Sequence, residues 1–158
     1  MKPRKKRYYL HPNATKLFYP AYFTSNTNSE SEDVNSSHLP DFLKKINDHI
    51  QQNLSDETLN VQRLTRLIGM SRSDLHRKLT KATGLSATAY IRLVRLRRAA
   101  DLLWQHPEWG IYQVALEVGF GNQSYFSRRF KEVFGVSPVD WRASQRDMEH
   151  MLKELGHK

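Results

Sequence analysis

Cysteine is absent from the 158 residues, which excludes disulfides, zinc knuckles, thiol catalysis and alkyl transfer to a thiol. Long apolar runs are missing too. Nothing approaches the roughly 18 residues a membrane span requires, and no signal-peptide apolar stretch follows the basic start Met1–Arg7. A cytoplasmic location with no membrane partner is therefore expected. The one Gly-x-Gly, Gly119-Phe120-Gly121, lacks the third glycine and the preceding strand pattern of a dinucleotide site, and no Gly-x-Ser-x-Gly elbow occurs. The 7 histidines, at 11, 38, 49, 76, 106, 150 and 157, include no pair at i, i+3 or i, i+4, so no metal site is expected. With no nucleophile–base set, paired carboxylates or phosphate loop, neither an enzyme nor a cofactor is expected. Acidic residues are few, 16 against 25 Lys plus Arg, for a net +9. That surplus points to a polyanionic partner, with nucleic acid ahead of anionic membrane.

What is present falls into three stretches. Residues 1–38 open with a basic piece rich in aromatics, Lys2 to Phe23, followed by a polar tract, Thr24 to His38, whose composition reads as disordered linker. The cluster Lys2, Arg4, Lys5, Lys6 and Arg7 is suited to added phosphate contacts, while Tyr8, Tyr9, Phe18, Tyr19 and Phe23 are many aromatics for a free tail. Residues 39–142 carry helical periodicity throughout, and residues 143–158 continue it, with Met148, Met151, Leu152 and Leu155 on one stripe. That stripe either packs back onto the domain or meets a second copy or RNA polymerase.

Within the middle stretch, Phe42, Ile46 and Ile50 recur every four residues behind Asp41, which predicts a first helix. A second is predicted near Thr58–Ile68, with Leu59, Leu64, Leu67 and Ile68 on one side and Gly69 ending it. Ser71 or Ser73 can cap a third, which turns Leu75, Leu79 and Ala82 inward and stops at Gly84. Ser86 opens a long helix that His106-Pro107 breaks after about Gln105. Helices recur at Ile111–Val118, Gln123–Phe134 and from Pro138, and no strand alternation appears. The predicted fold is all-α. Trp104, Trp109, Tyr125 and Trp141 are expected in or near its core.

The chain repeats itself. Val61–Met70 overlays Ile111–Phe120 at an offset of fifty, and one extra residue in the second turn makes the offset fifty-one afterwards: Ser73 then meets Ser124, Leu75 meets Phe126, Arg77 meets Arg128, Leu79 meets Phe130, Gly84 meets Gly135 and Ser86 meets Ser137. Two short amphipathic helices around a glycine-bearing turn, present twice, compose a duplicated helix-turn-helix. Helix-glycine-helix alone equally describes a corner in a bundle, and charge placement separates the two readings. Opposite the buried faces, the first unit presents Ser73, His76, Arg77 and Thr80, and the second Ser124, Ser127, Arg128 and Lys131. These faces are read as acid-free. Arg forks onto guanine and Ser or Thr serves either base pair, whereas a merely solvated face interleaves acids with its bases.

At these residues the sequence resembles the AraC/XylS family of bacterial transcription regulators. The match runs through Gly69-Met70-Ser71-x-x-x-Leu75-x-Arg77, Thr83-Gly84-Leu85-Ser86 and Arg95-Leu96-Arg97-Arg98-Ala99-Ala100-x-Leu102-Leu103. It is strongest from Val114-Ala115 through Gly119-Phe120-x-Asn122-Gln123-Ser124-Tyr125-Phe126-Ser127-Arg128-Arg129-Phe130-Lys131 to Gly135-Val136-Ser137-Pro138-x-x-Trp141-Arg142. The resemblance implies two helix-turn-helix subdomains joined by a long linker helix, about seven helices in all, with the third and sixth in successive major-groove segments of double-stranded DNA. It places base reading on Ser73, His76 and Arg77 and on Gln123, Ser124, Ser127 and Arg128, and phosphate contact on Arg72, Lys81 and Arg129. Thr65 stands where the family pattern has Ala, and Ala87 where it has Pro. Family members usually add an effector-binding domain, for which residues 1–38 are too few, so no small-molecule effector site is expected in this chain. Either the domain acts alone or it is the output end of a larger sensor; the linker-like residues 24–38 and the run Ser71-Arg72-Ser73-Asp74-Leu75-His76-Arg77-Lys78-Leu79 resemble the output domain of hybrid two-component regulators, which favours the latter. A protein-interaction adaptor that uses the same helices without DNA sequence preference is the alternative from another class.

Overall fold

The computed structural model describes residues 38–144. The basic arm, the polar tract up to residue 37 and the Met148–Leu155 stripe lie outside the described residues; His38, the last residue of that tract, instead opens the first helix. The helices are α1 (His38–Gln52), α2 (Val61–Ile68), α3 (Arg72–Thr83), α4 (Ala87–Gln105), α5 (Ile111–Glu117), α6 (Gln123–Phe134) and the described part of α7, residues 138–144. No strand occurs among the described residues.

The duplication read from the sequence is a duplication in space. Gly69 and Gly119 close the first helix of each unit at φ 67° and 76°, a left-handed conformation that costs glycine nothing. The same bond follows each: Met70 N–H donates to Thr65 O at 3.0 Å and Phe120 N–H to Ala115 O at 2.9 Å. The second helices are each 12 residues long. Ser71 Oγ accepts from Asp74 N at 3.1 Å and Asn122 Oδ1 from Tyr125 N at 2.8 Å, so each N-terminus has a side-chain cap. Ser86 and Ser137 then cap α4 and α7, each Oγ accepting an N–H three residues on at 3.2 Å.

Both departures from the family pattern fit locally. The Thr65 hydroxyl, in a buried side chain, donates to Gln62 O at 2.8 Å, so no polar group is stranded. Ala87 is buried in the first turn of α4, where proline is favoured but not required; its repeat equivalent is Pro138.

Two hydrophobic cores share α4. Leu43, Ile46, Ile50, Leu64, Leu75 and Leu79 pack on its first half. Its second half carries Leu96, Ala99 and Leu103 against Val114, Phe126, Phe130 and Phe134. Leu54, in the α1–α2 loop, packs against both. Lys45 ties α1 to the end of α2, its Nζ donating to Ile68 O at 3.3 Å.

Three expectations are corrected. α2 starts at Val61 rather than near Thr58, because Asn60 is the cap and its side chain accepts from Arg63 N–H at 3.0 Å. Leu67 is 40% exposed; at about 100° per residue it lies roughly 100° round the helix from Ile68, off the buried stripe. Trp104 is 49% exposed in the last turn of α4, where Leu102 and Leu103 take the core positions. Trp109, Tyr125 and Trp141 are half-buried and pack against the second core as expected.

Candidate nucleic-acid interface

α3 and α6 each bury one stripe and leave the other side open. In α3 Leu75 and Leu79 are fully buried, and Arg72, Ser73, His76, Arg77, Thr80 and Lys81 are exposed. In α6 Phe126, Phe130 and Phe134 are buried, Gln123, Ser124, Arg128 and Lys131 are exposed, and Ser127 and Arg129 are half-buried. The residues assigned to base reading in each unit thus share one helix each and face away from that unit's core. The four-residue spacing of the buried side chains forces this, since it confines the apolar stripe to one side of the helix.

The arginines differ in how they are held. Arg77, with its side chain 71% exposed, donates from Nη2 to Asp74 Oδ1 at 3.1 Å. The sequence predicts an acid-free face on α3, and the structure corrects this by placing Asp74 beside Arg77. The cap is the reason. Asp74 accepts from the Ser71 hydroxyl at 2.8 Å while its own N–H donates to Ser71 Oγ, which fixes the carboxylate one turn before Arg77. The Ser71 hydroxyl first, and the Arg77 guanidinium after it, hold the Asp74 carboxyl below its usual range. The Asp74 carboxylate therefore stays ionised through neutral pH, and its bond to Arg77 presents that guanidinium part-oriented. In α6 that position holds Arg128, whose guanidinium carbon sits 5.6 Å from the centre of the Tyr125 ring. Arg129, half-buried, is held along its own helix: it donates to Glu132 Oε2 at 2.7 Å and lies 5.1 Å from the same ring. The Glu132 carboxylate, then the Tyr125 hydroxyl, raise its pKa, and the Glu132 ion pair partly offsets its charge in place.

A cleft of about 520 Å³ separates the units, lined among others by Asn60, Arg92, Arg95, Phe120, Asn122 and Tyr125. Among the described residues no cluster of three or more His, Asp or Glu is placed to hold a metal ion, and no helix is long and apolar enough to cross a membrane. Asp74 and Arg95 escaped the sequence reading as site residues. The spacing Ser71-x-x-Asp74 was the available signal for the first. For the second it was the position of Arg95 among the apolar residues of α4.

Comparison with known proteins places this geometry. The family described as "Helix-turn-helix domain" matches residues 64–144. The HTH-type transcriptional activator RhaS of Klebsiella pneumoniae (strain 342) is 32% identical over 114 residues, 72% of this chain and 39% of that protein. Histidine kinase P4 of Formosa agariphila is 31% identical over 112 residues, 71% of this chain and 8% of that protein. Among solved structures, the C-terminal domain of AraT, a response regulator from Geobacillus stearothermophilus, aligns with a TM-score of 0.59 at 29% identity, covering 65% of this chain and 84% of that one. The chain thus spans two fifths or less of these two curated relatives' lengths.

Proposed function

The chain belongs to the AraC/XylS family of DNA-binding transcription regulators, and on that premise we propose that it binds double-stranded DNA sequence-specifically, reading two successive major-groove segments with α3 and α6. The observation that carries this reading is the paired geometry: two capped 12-residue helices, each with a basic and hydroxyl-bearing face turned to solvent, mounted on one shared helix. Ser73, His76 and Arg77 read one box, and Gln123, Ser124, Ser127 and Arg128 the other. Arg72, Lys81 and Arg129 meet phosphate; for Arg129 this requires release from Glu132 or a shared contact with it. The relative named a transcriptional activator favours RNA polymerase as a second partner. The histidine kinase and response regulator relatives favour a role as the output end of a sensor.

Alanine at Arg77 or Arg128 is expected to cost about 1–3 kcal/mol on the best site and to relax base preference at one position. Arg72→Ala is expected to weaken all sequences alike, as loss of a phosphate contact does. Titration of each variant on selected and on random DNA checks this. Equal losses on both DNAs for Arg77→Ala and Arg128→Ala contradict base reading, and a wild-type chain with no preference between the two DNAs supports the adaptor.

A further inference from the structure

One charged side chain lies where the two units meet. Arg95, on the middle of α4, is only 9% exposed, and its Nη2 donates to the backbone oxygen of Asp56, 39 residues away, at 2.6 Å. Burial lowers the pKa of the guanidinium, and the Asp56 and Glu57 carboxylates act against that shift. A buried cation is retained only against real partners, and here the partner belongs to the α1–α2 loop. The turn of the second unit closes on the same spot. A β-carbon at Gly119 would lie 2.5 Å from Leu54 O and 2.9 Å from Arg95 Cζ, so backbone, loop and guanidinium are in direct contact. Gly121, the residue inserted in the second turn relative to the first, has its β-position 2.5 Å from Glu57 Oε2. The repeat is therefore unequal at the point where it touches the loop. Leu54 packs on both cores, which makes residues 54–57 a strap between the units, with Arg95 holding its centre.

We propose that Arg95, through the 54–57 strap it anchors and the Gly119 turn it touches, is a positioning residue that sets the angle between α3 and α6 and thereby the permitted spacing of the two DNA boxes. This rests on the two-box reading. Arg95 faces the strap rather than DNA, so its removal acts on geometry and leaves each reading face intact. Single boxes should bind Arg95→Met within about twofold of wild type, as for sites that share no partner. The joined site should weaken by about tenfold or more, because a loosened second unit has a lower effective concentration at its box. Arg95→Lys keeps a donor and should recover part of the loss.

The experiment measures binding of wild type, Arg95→Met and Arg95→Lys to each single box, to the joined site, and to joined sites with one to five base pairs inserted. A second measurement needs no DNA: spin labels on Gln62→Cys and Gln113→Cys, one in each unit of a chain without other cysteines, report the inter-unit distance distribution. The proposal expects a narrow distribution that broadens in Arg95→Met, together with spacing tolerance that widens while single-box affinity holds. Unchanged distance and unchanged spacing tolerance in Arg95→Met overturn it and leave the two-box reading standing. Equal loss on single boxes and joined site also overturns it, by showing a general folding role. A wild-type chain already indifferent to spacing removes the two-box reading and the proposal with it.

Discussion

Phe130→Ala is expected to destabilise the folded chain by about 3–5 kcal/mol, the range for deleting a large aromatic from a packed core. Phe130 is fully buried and is the centre of the aromatic group that forms the second core, with ring centroids 5.7 Å from Phe126, 4.3 Å from Phe134 and 6.0 Å from Trp141. Three neighbours hold the cavity walls apart, two of them on the same helix, so collapse into the space is restricted and the cost stays near the top of the range. A single domain has only about 5–15 kcal/mol of stability, so a loss of about 5 kcal/mol removes about a third of it or more. Urea unfolding followed by near-ultraviolet circular dichroism measures the loss. A cost below about 1 kcal/mol contradicts the packing described, since so small a value belongs to partly exposed positions.

Inserting five base pairs between the two boxes is expected to lower affinity by about 100-fold or more, and inserting ten to do nearly the same, because joining two modules gains about 10²–10⁴ over either alone and both insertions break the join. α4 holds 19 residues and is about 28 Å long at 1.5 Å per residue, close to the roughly 34–36 Å between successive major-groove faces. Five base pairs turn one box to the opposite side of the duplex. Ten restore the side but add a whole turn of DNA, and a single helix cannot stretch to follow. Because Ser73-His76-Arg77 differs from Gln123-Ser124-Arg128, the boxes should also be unlike, and the site directional rather than palindromic. Full recovery with ten base pairs contradicts a rigid spacer, and indifference to five contradicts bipartite reading.

Most of the scaffold was legible because its signals are local. Caps, left-handed glycines and apolar spacing each act within a turn or two, and α6 runs over Gln123–Phe134 as the sequence predicts. The internal repeat added long-range information, since a unit that occurs twice must work twice. Where reading stopped, tertiary geometry was deciding. Leu67 and Trp104 have core composition but sit at the edge of their helices' buried faces, and only the neighbouring helices determine where that edge falls. In the sequence Arg95 stands out only as part of the Arg95–Leu103 match, because the partner that gives it a role lies 39 residues away. Asp74 was local and missed: the wheel counted faces, whereas the cap draws its carboxylate toward Arg77.

The most direct test of the two-box account is selection of bound sites from random double-stranded DNA with the purified chain. Two unlike boxes should be enriched in fixed order, centred about 10 base pairs apart, the spacing of successive major-groove faces. Arg77→Ala should relax preference at one position of one box and Arg128→Ala at one position of the other. No enriched sequence, or a single box with no partner at fixed distance, contradicts it.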